Sequence, residues 1–134
     1  MGLVVLLSIT ACLWTLWALD VYFVRIAPHF SQRANMIVYY KERSGPNEPL
    51  IAYQMNWKGE NFYTGNRVPA FVASGQKFKD WVAGERKRGI TTMYFTTEHG
   101  RMGSLKSELG NPKDFTKLTN EDLNNKFFVA RVRF

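Results

Sequence analysis

The residues best suited to chemistry in this chain stand together in Glu98-His99-Gly100-Arg101-Met102-Gly103. A run of β-formers over residues 90–97 precedes them, and a helix-like stretch follows. A glycine-containing turn from strand to helix can hold a phosphate on backbone amides. Glu98, His99 and Arg101 would project near the carboxyl end of that strand, where α/β sheets place ligands. The segment lacks the full dinucleotide fingerprint, and an ordinary strand-to-helix turn uses the same residue types. Lys58, Arg67, His99 and Arg101 are the candidate substrate-binding residues, chosen because they are basic or titratable and fall in loops.

A catalytic set is not apparent. His29 and His99 are the two histidines, and the one cysteine, Cys12, lies in an apolar stretch where it reads as a small buried residue. Zinc-ligand spacing, a nucleophile elbow and a P-loop are all missing from the sequence. The sequence therefore assigns no catalytic residue, no metal ligand and no cofactor. One cysteine cannot form an internal disulfide, so cysteine usage does not reveal the compartment. Asp20 and Arg25 cancel within residues 1–30, so the whole net charge of +7 belongs to residues 31–134. Such a surface suits anionic headgroups or lipid phosphates beside a bilayer. A merely solvated basic surface has the same composition. The charge is dispersed, so nucleic acid is not an expected partner.

Positioning begins with residues 2–19, which carry no charge and read as a membrane-spanning helix. The hydroxyls of Ser8, Thr10 and Thr15 can bond carbonyls one turn back, so they do not veto insertion. Trp14, Trp17, Tyr22 and Phe23 place the far end at an interface. Asp20 can pair with Arg25, although a spacing of four would suit better than five, and Pro28 should stop or kink the helix. A cleaved signal peptide fits less well, because no basic residue precedes the apolar stretch and no small-x-small cleavage site follows it.

These signals divide the chain into a transmembrane helix (1–27), a connector (28–35) and an extramembrane α/β domain (36–134). Strands are expected over 36–40, 50–54, 90–97 and 126–134, with short extended pieces at 62–64 and 68–72. Ser74 can cap a helix striped by Phe78, Trp81 and Val82, with Arg86, Lys87 and Arg88 in its last turn and Gly89 as its stop. A second helix over 104–109 should close at Gly110. Thr119 can cap a third, stapled by Leu118 and Leu123. Alternation of this kind implies a small α/β sandwich with a mainly parallel sheet, whose last strand can pair antiparallel at an edge. Trp57-Lys58 and Phe62-Tyr63 suggest an aromatic and basic group suited to a bilayer interface; the other reading makes Phe62 and Tyr63 core strand residues, and for Phe62 that is the expectation adopted.

Taken together, the residues resemble a family. A helix ending in Pro28 and Phe30-Ser31-Gln32-Arg33 is followed by a strand, by Pro49-Leu50-Ile51-Ala52-Tyr53, and by Asn61-Phe62-Tyr63-Thr64-Gly65 with Val68. Over essentially its whole length the chain resembles the C-terminal end of polytopic glycosyltransferases of the dolichyl-phosphate-mannose protein mannosyltransferase type. The bacterial relatives of that family include the lipid A aminoarabinose transferases. The resemblance implies upstream transmembrane helices, a small α/β domain outside the cytoplasm, an inner or plasma membrane location and a polyprenyl-phosphate-linked sugar donor. The family's catalytic carboxylate lies in a first extracytoplasmic loop that this sequence does not contain. The chain would then be the enzyme's terminal helix and accessory domain. Arg25, Arg33, Lys41 and Arg43 all follow the helix, and the positive-inside rule alone would put the domain in the cytoplasm. The alternative is an independent single-pass protein with a binding domain at the membrane surface.

Overall fold

The structure is a computed structural model that describes residues 2–55, 59–73 and 75–134. It opens with one continuous helical rod, Gly2–Phe30, long and apolar enough to cross a membrane, in which none of the apolar window is buried by the rest of the chain. The rod comprises α1 (Gly2–Leu19), a π-helical stretch (Asp20–Ile26) and α2 (Ala27–Phe30). Ser8, Thr10 and Thr15 donate to carbonyls four residues back at 2.8–2.9 Å, as expected for hydroxyls in an apolar helix.

Pro28 does not stop this helix. Proline has no N–H to give to the carbonyl four residues back, and the turns before it are widened to a five-residue repeat, with the Ala27 N–H bonded to Tyr22 O. The same widening makes residues five apart into neighbours, so Asp20 meets Arg25 at 3.7 Å. Both side chains are largely exposed, so the pair contributes little. The helix breaks one turn later, at extended Ser31 (φ −85°, ψ 137°).

The last three residues of the expected connector, and the expected strand over 36–40, belong instead to α3 (Arg33–Glu42). Met36 to Tyr40 are good β-formers, but burial follows the helical period: Asn35, Met36 and Tyr39 turn inward while Ile37 and Tyr40 stay exposed. Tertiary packing has overridden local propensity here.

Five strands follow: β1 (Leu50–Tyr53), β2 (Ala70–Phe71), β3 (Thr92–Glu98), β4 (Asp114–Lys117) and β5 (Phe127–Arg133), in the spatial order β2-β1-β3-β5-β4. β1 is parallel to both β2 and β3, so the first half of this mixed sheet is parallel. β5 runs antiparallel to β3 and β4 and is interior, not an edge. Residues 114–117, to which the sequence pattern assigns no element, form the edge strand that completes β5's hydrogen bonding.

Alternation along the strands assigns the two faces. On one, Ile51, Tyr53, Met93, Phe95, Phe128, Ala130 and Val132 pack under α5 (Gln76–Lys87) and α6 (Met102–Glu108) through Phe78, Val82 and Leu105. On the other, Leu50, Ala52, Tyr94, Phe127 and Val129 pack with Met36 and Tyr39 of α3. α5 ends as its sequence implies: Gly89 adopts φ +89°, its N–H bonds Arg86 O at 3.0 Å, and the Ile90 N–H bonds Glu85 O at 3.1 Å. Arg88 pairs with Glu85 at 2.6 Å and Arg86 stacks over Phe134, so two members of the basic triplet are engaged at the helix end. The expected cap Ser74 lies outside the described residues.

Two further expectations are corrected. Residues 119–124 form a turn and not a capped helix, because the Thr119 hydroxyl is spent accepting the Val129 N–H at 2.8 Å. Residues 62–64 are not extended but belong to a short helix, α4 (Gly59–Thr64).

Candidate functional site

β1 and β3 are parallel, so Tyr53 and Glu98 finish at the same end of the sheet. That end is also where the helical rod joins the domain, and hydrogen bonds fasten the two together. Asn124 is fully buried, and its Nδ2 donates to Ser31 O at 2.8 Å. Its Oδ1 accepts the N–H groups of Lys126 and Phe127 at 3.0 and 2.9 Å. The Asn125 N–H donates to His29 Nδ1 at 3.1 Å. Gln32 Nε2 donates to Glu60 Oε2 at 2.8 Å, and Ser31 Oγ lies 3.2 Å from the Tyr63 hydroxyl. Two elements far apart in the sequence, α4 and the 119–126 turn, thus grip His29, Ser31 and Gln32 where the rod ends.

The segment with the strongest sequence signal occupies this end. His99 and Arg101 lie in a single 3-10 turn (His99–Arg101) between β3 and α6. His99 stacks on Phe128 (centroids 5.4 Å apart) and its Nε2 lies 2.7 Å from Asn124 O. Since a carbonyl can only accept, Nε2 carries a proton and donates it to Asn124 O. The Nδ1 of His99 is buried without a partner. Arg101 pairs with Glu98 at 3.3 Å. Glu108, from the end of α6, accepts the Gly75 N–H at 3.2 Å. Burial, with the Glu108 carboxylate as the next cause, pushes the Tyr53 hydroxyl up to about 12, against a smaller opposing effect of Arg101. The Arg101 guanidinium is already paired with Glu98, and α6 is too short for a strong dipole. The phosphate cradle imagined at Gly100–Gly103 therefore lacks the electrostatics to act alone.

The four candidate residues do not converge. His99 and Arg101 are neighbours. Lys58 lies outside the described residues. Arg67 belongs to the opposite end: it lines a concavity of about 260 Å³ with Arg43, Tyr40, Pro49 and Leu50. Leu50 pairs with Tyr94, five residues before His99, so the two groups are separated by roughly 16 Å along the strands. Arg43 lies 4.5 Å over the Tyr40 ring there.

The polar residues under α3 and α4 escaped the sequence reading. Glu60 is fully buried, its Oε1 has no partner, and burial raises its carboxyl above the ordinary 4.5 despite the opposing Gln32 hydrogen bond. Asn35 is also fully buried, with neither amide atom partnered. A buried Asn in an expected connector and a buried Glu in a polar, glycine-containing stretch carry no local signal. Only the helical registers of α3, for Asn35, and of α4, for Glu60, turn them inward. Among the described residues, no three His, Cys, Asp or Glu side chains gather as a metal ion would need.

No protein-family model, curated protein or solved structure matches the chain.

Proposed function

We propose that this chain is the membrane anchor and accessory domain of a glycosyltransferase that takes a sugar from a polyprenyl-phosphate donor. In this reading the catalytic carboxylate and the other transmembrane helices belong to a preceding part of the same enzyme. The domain stands outside the cytoplasm, on the inner or plasma membrane, and helps shape access to the lipid-linked substrate. The observation that supports it best is the set of hydrogen bonds from Asn124, Asn125, Glu60 and Tyr63 to His29, Ser31 and Gln32. They hold the carboxyl end of the sheet over the point where an apolar helix of spanning length leaves the domain. That end is where α/β sheets bind ligands, and here a ligand would meet it from the bilayer side.

Two measurements test this. An antibody against residues 31–134, applied to membranes of the source organism, should detect a band several times larger than 15.5 kDa. A membrane band near that mass favours the independent single-pass module and removes the glycosyltransferase reading. Second, the full chain in nanodiscs containing polyprenyl phosphate should exchange amide hydrogens more slowly over residues 98–103 than in nanodiscs without it. Unchanged exchange there refutes a phosphate contact at this end.

A further inference from the structure

α4 is inside out for a helix facing water. Glu60 and Thr64 are buried at 0 and 8 % exposure, while Phe62 is 81 % exposed and Tyr63 37 %. Water would favour the reverse. Phe62 and Tyr63 pack edge-to-face on each other (5.2 Å) and lean on no core cluster. Two further exposed apolar side chains lie at this junction: Phe30, the last residue of the rod, and Leu123 on the 119–126 turn. Tyr63 reaches Ser31 and Asn125 reaches His29, so all four sit within a few residues of the rod's end. Around them are exposed Arg33 and the Lys126 ammonium, 5.4 Å over the Phe30 ring.

We infer that Phe62, Tyr63, Leu123 and Phe30 form a second membrane contact: an aromatic foot that rests in the headgroup region of the bilayer entered by the helix. The inference deepens the proposed function and rests on its premise that the rod spans a membrane. Length agrees with it. The rod has 29 residues, about 43 Å at 1.5 Å each, against roughly 40–45 Å for a bilayer with its headgroups. Its last turn therefore emerges at the outer headgroup level, and the foot lies beside that turn. Aromatic rings with a polar edge prefer this layer, and cations beside them meet lipid phosphates. The occupant is lipid, not a second protein, because the patch continues the exposed apolar surface of the rod itself.

The native Cys12 provides the internal control, since it is exposed on α1. The full chain is reconstituted in vesicles of zwitterionic and anionic phospholipid. One nitroxide is placed on Cys12, on Cys introduced by Phe62→Cys, or on Cys introduced by Asn47→Cys, the last two in a Cys12→Ser background. Accessibility to oxygen and to an aqueous nickel complex then reports depth at each site. The expected order is Cys12 deepest, the Phe62 site interfacial and the Asn47 site aqueous. A Cys12 label in hydrocarbon with an aqueous Phe62 site overturns the foot and leaves the anchoring premise standing. An aqueous Cys12 label overturns both. A Phe62 site shielded from both reagents means a protein partner and overturns the lipid assignment.

Discussion

Asn124 is the residue whose replacement most directly tests the coupling of domain to helix. Its side chain makes three hydrogen bonds, to Ser31 O, the Lys126 N–H and the Phe127 N–H, at 2.8–3.0 Å and at zero exposure. A net contribution of about 1 kcal/mol for each puts the loss in Asn124→Ala near 3 kcal/mol. For a domain of this size that corresponds to a fall in Tm of roughly 12–24 °C. Asn124→Asp separates the bonds. A carboxylate still accepts from Lys126 and Phe127, but it cannot donate to Ser31 and would set two acceptor oxygens about 2.8 Å apart. When protonated, its O–H can restore the donor. The Asp variant should therefore approach the wild type near about pH 4 and lose stability as pH rises through its carboxyl pKa, because burial and the facing carbonyl both raise that value. Thermal unfolding of the full chain in detergent, followed by near-ultraviolet circular dichroism, measures both effects. An Ala variant within about 1 kcal/mol of the wild type refutes the assigned hydrogen-bond network. An Asp variant with no extra pH dependence refutes the orientation of the amide.

Three other outcomes follow from the geometry. Glu60 has its carboxyl raised by burial, so the folded state holds its proton more tightly than the unfolded chain. That contribution is complete at acid pH and is lost as pH rises through the folded value. Glu60→Gln should remove it, so urea midpoints of wild type and variant should diverge toward alkaline pH in the variant's favour, by about 1.4 kcal/mol per unit of pKa displacement. Parallel midpoints would contradict this. Phe78 is 1 % exposed and contacts the rings of Tyr53, Phe71 and Phe95 at 4.8–6.0 Å, so Phe78→Ala should cost about 3–5 kcal/mol in denaturant unfolding; a loss below about 1 would mean that this face is loosely packed. Ultraviolet titration of the folded chain should show Tyr53 ionising at about 12 instead of 10.0, with stability falling across that interval; its ionisation together with the exposed tyrosines would refute the environment described for its hydroxyl.

Much of this organisation was legible in the sequence because it depends on local pattern. The apolar rod, α5 with its Gly89 stop, α6 closed at Gly110, β1, β3 and β5 all follow from hydropathy, periodicity and glycine. The position of His99 and Arg101 beyond β3 follows in the same way. α3 was not legible, since Met36 to Tyr40 satisfy strand propensity and only the sheet beneath them selects the helical register. β4 was not legible either. Four residues with one strong apolar side chain have no periodicity to detect, and their role is to pair with β5.

The sequence by itself determined that the chain carries a spanning-length apolar helix and a basic α/β domain, because residue-to-residue spacing encodes both. Tertiary structure alone decided that Arg67 and His99 lie at opposite ends of the sheet, since strand direction sets that distance. It alone turned Glu60 inward and Phe62 outward, because α4 is held by Gln32 and Ser31 and not by its own composition. Which side chains meet at the membrane end depends on contacts between residues as far apart as Ser31 and Asn124, and no local pattern records a contact across that distance.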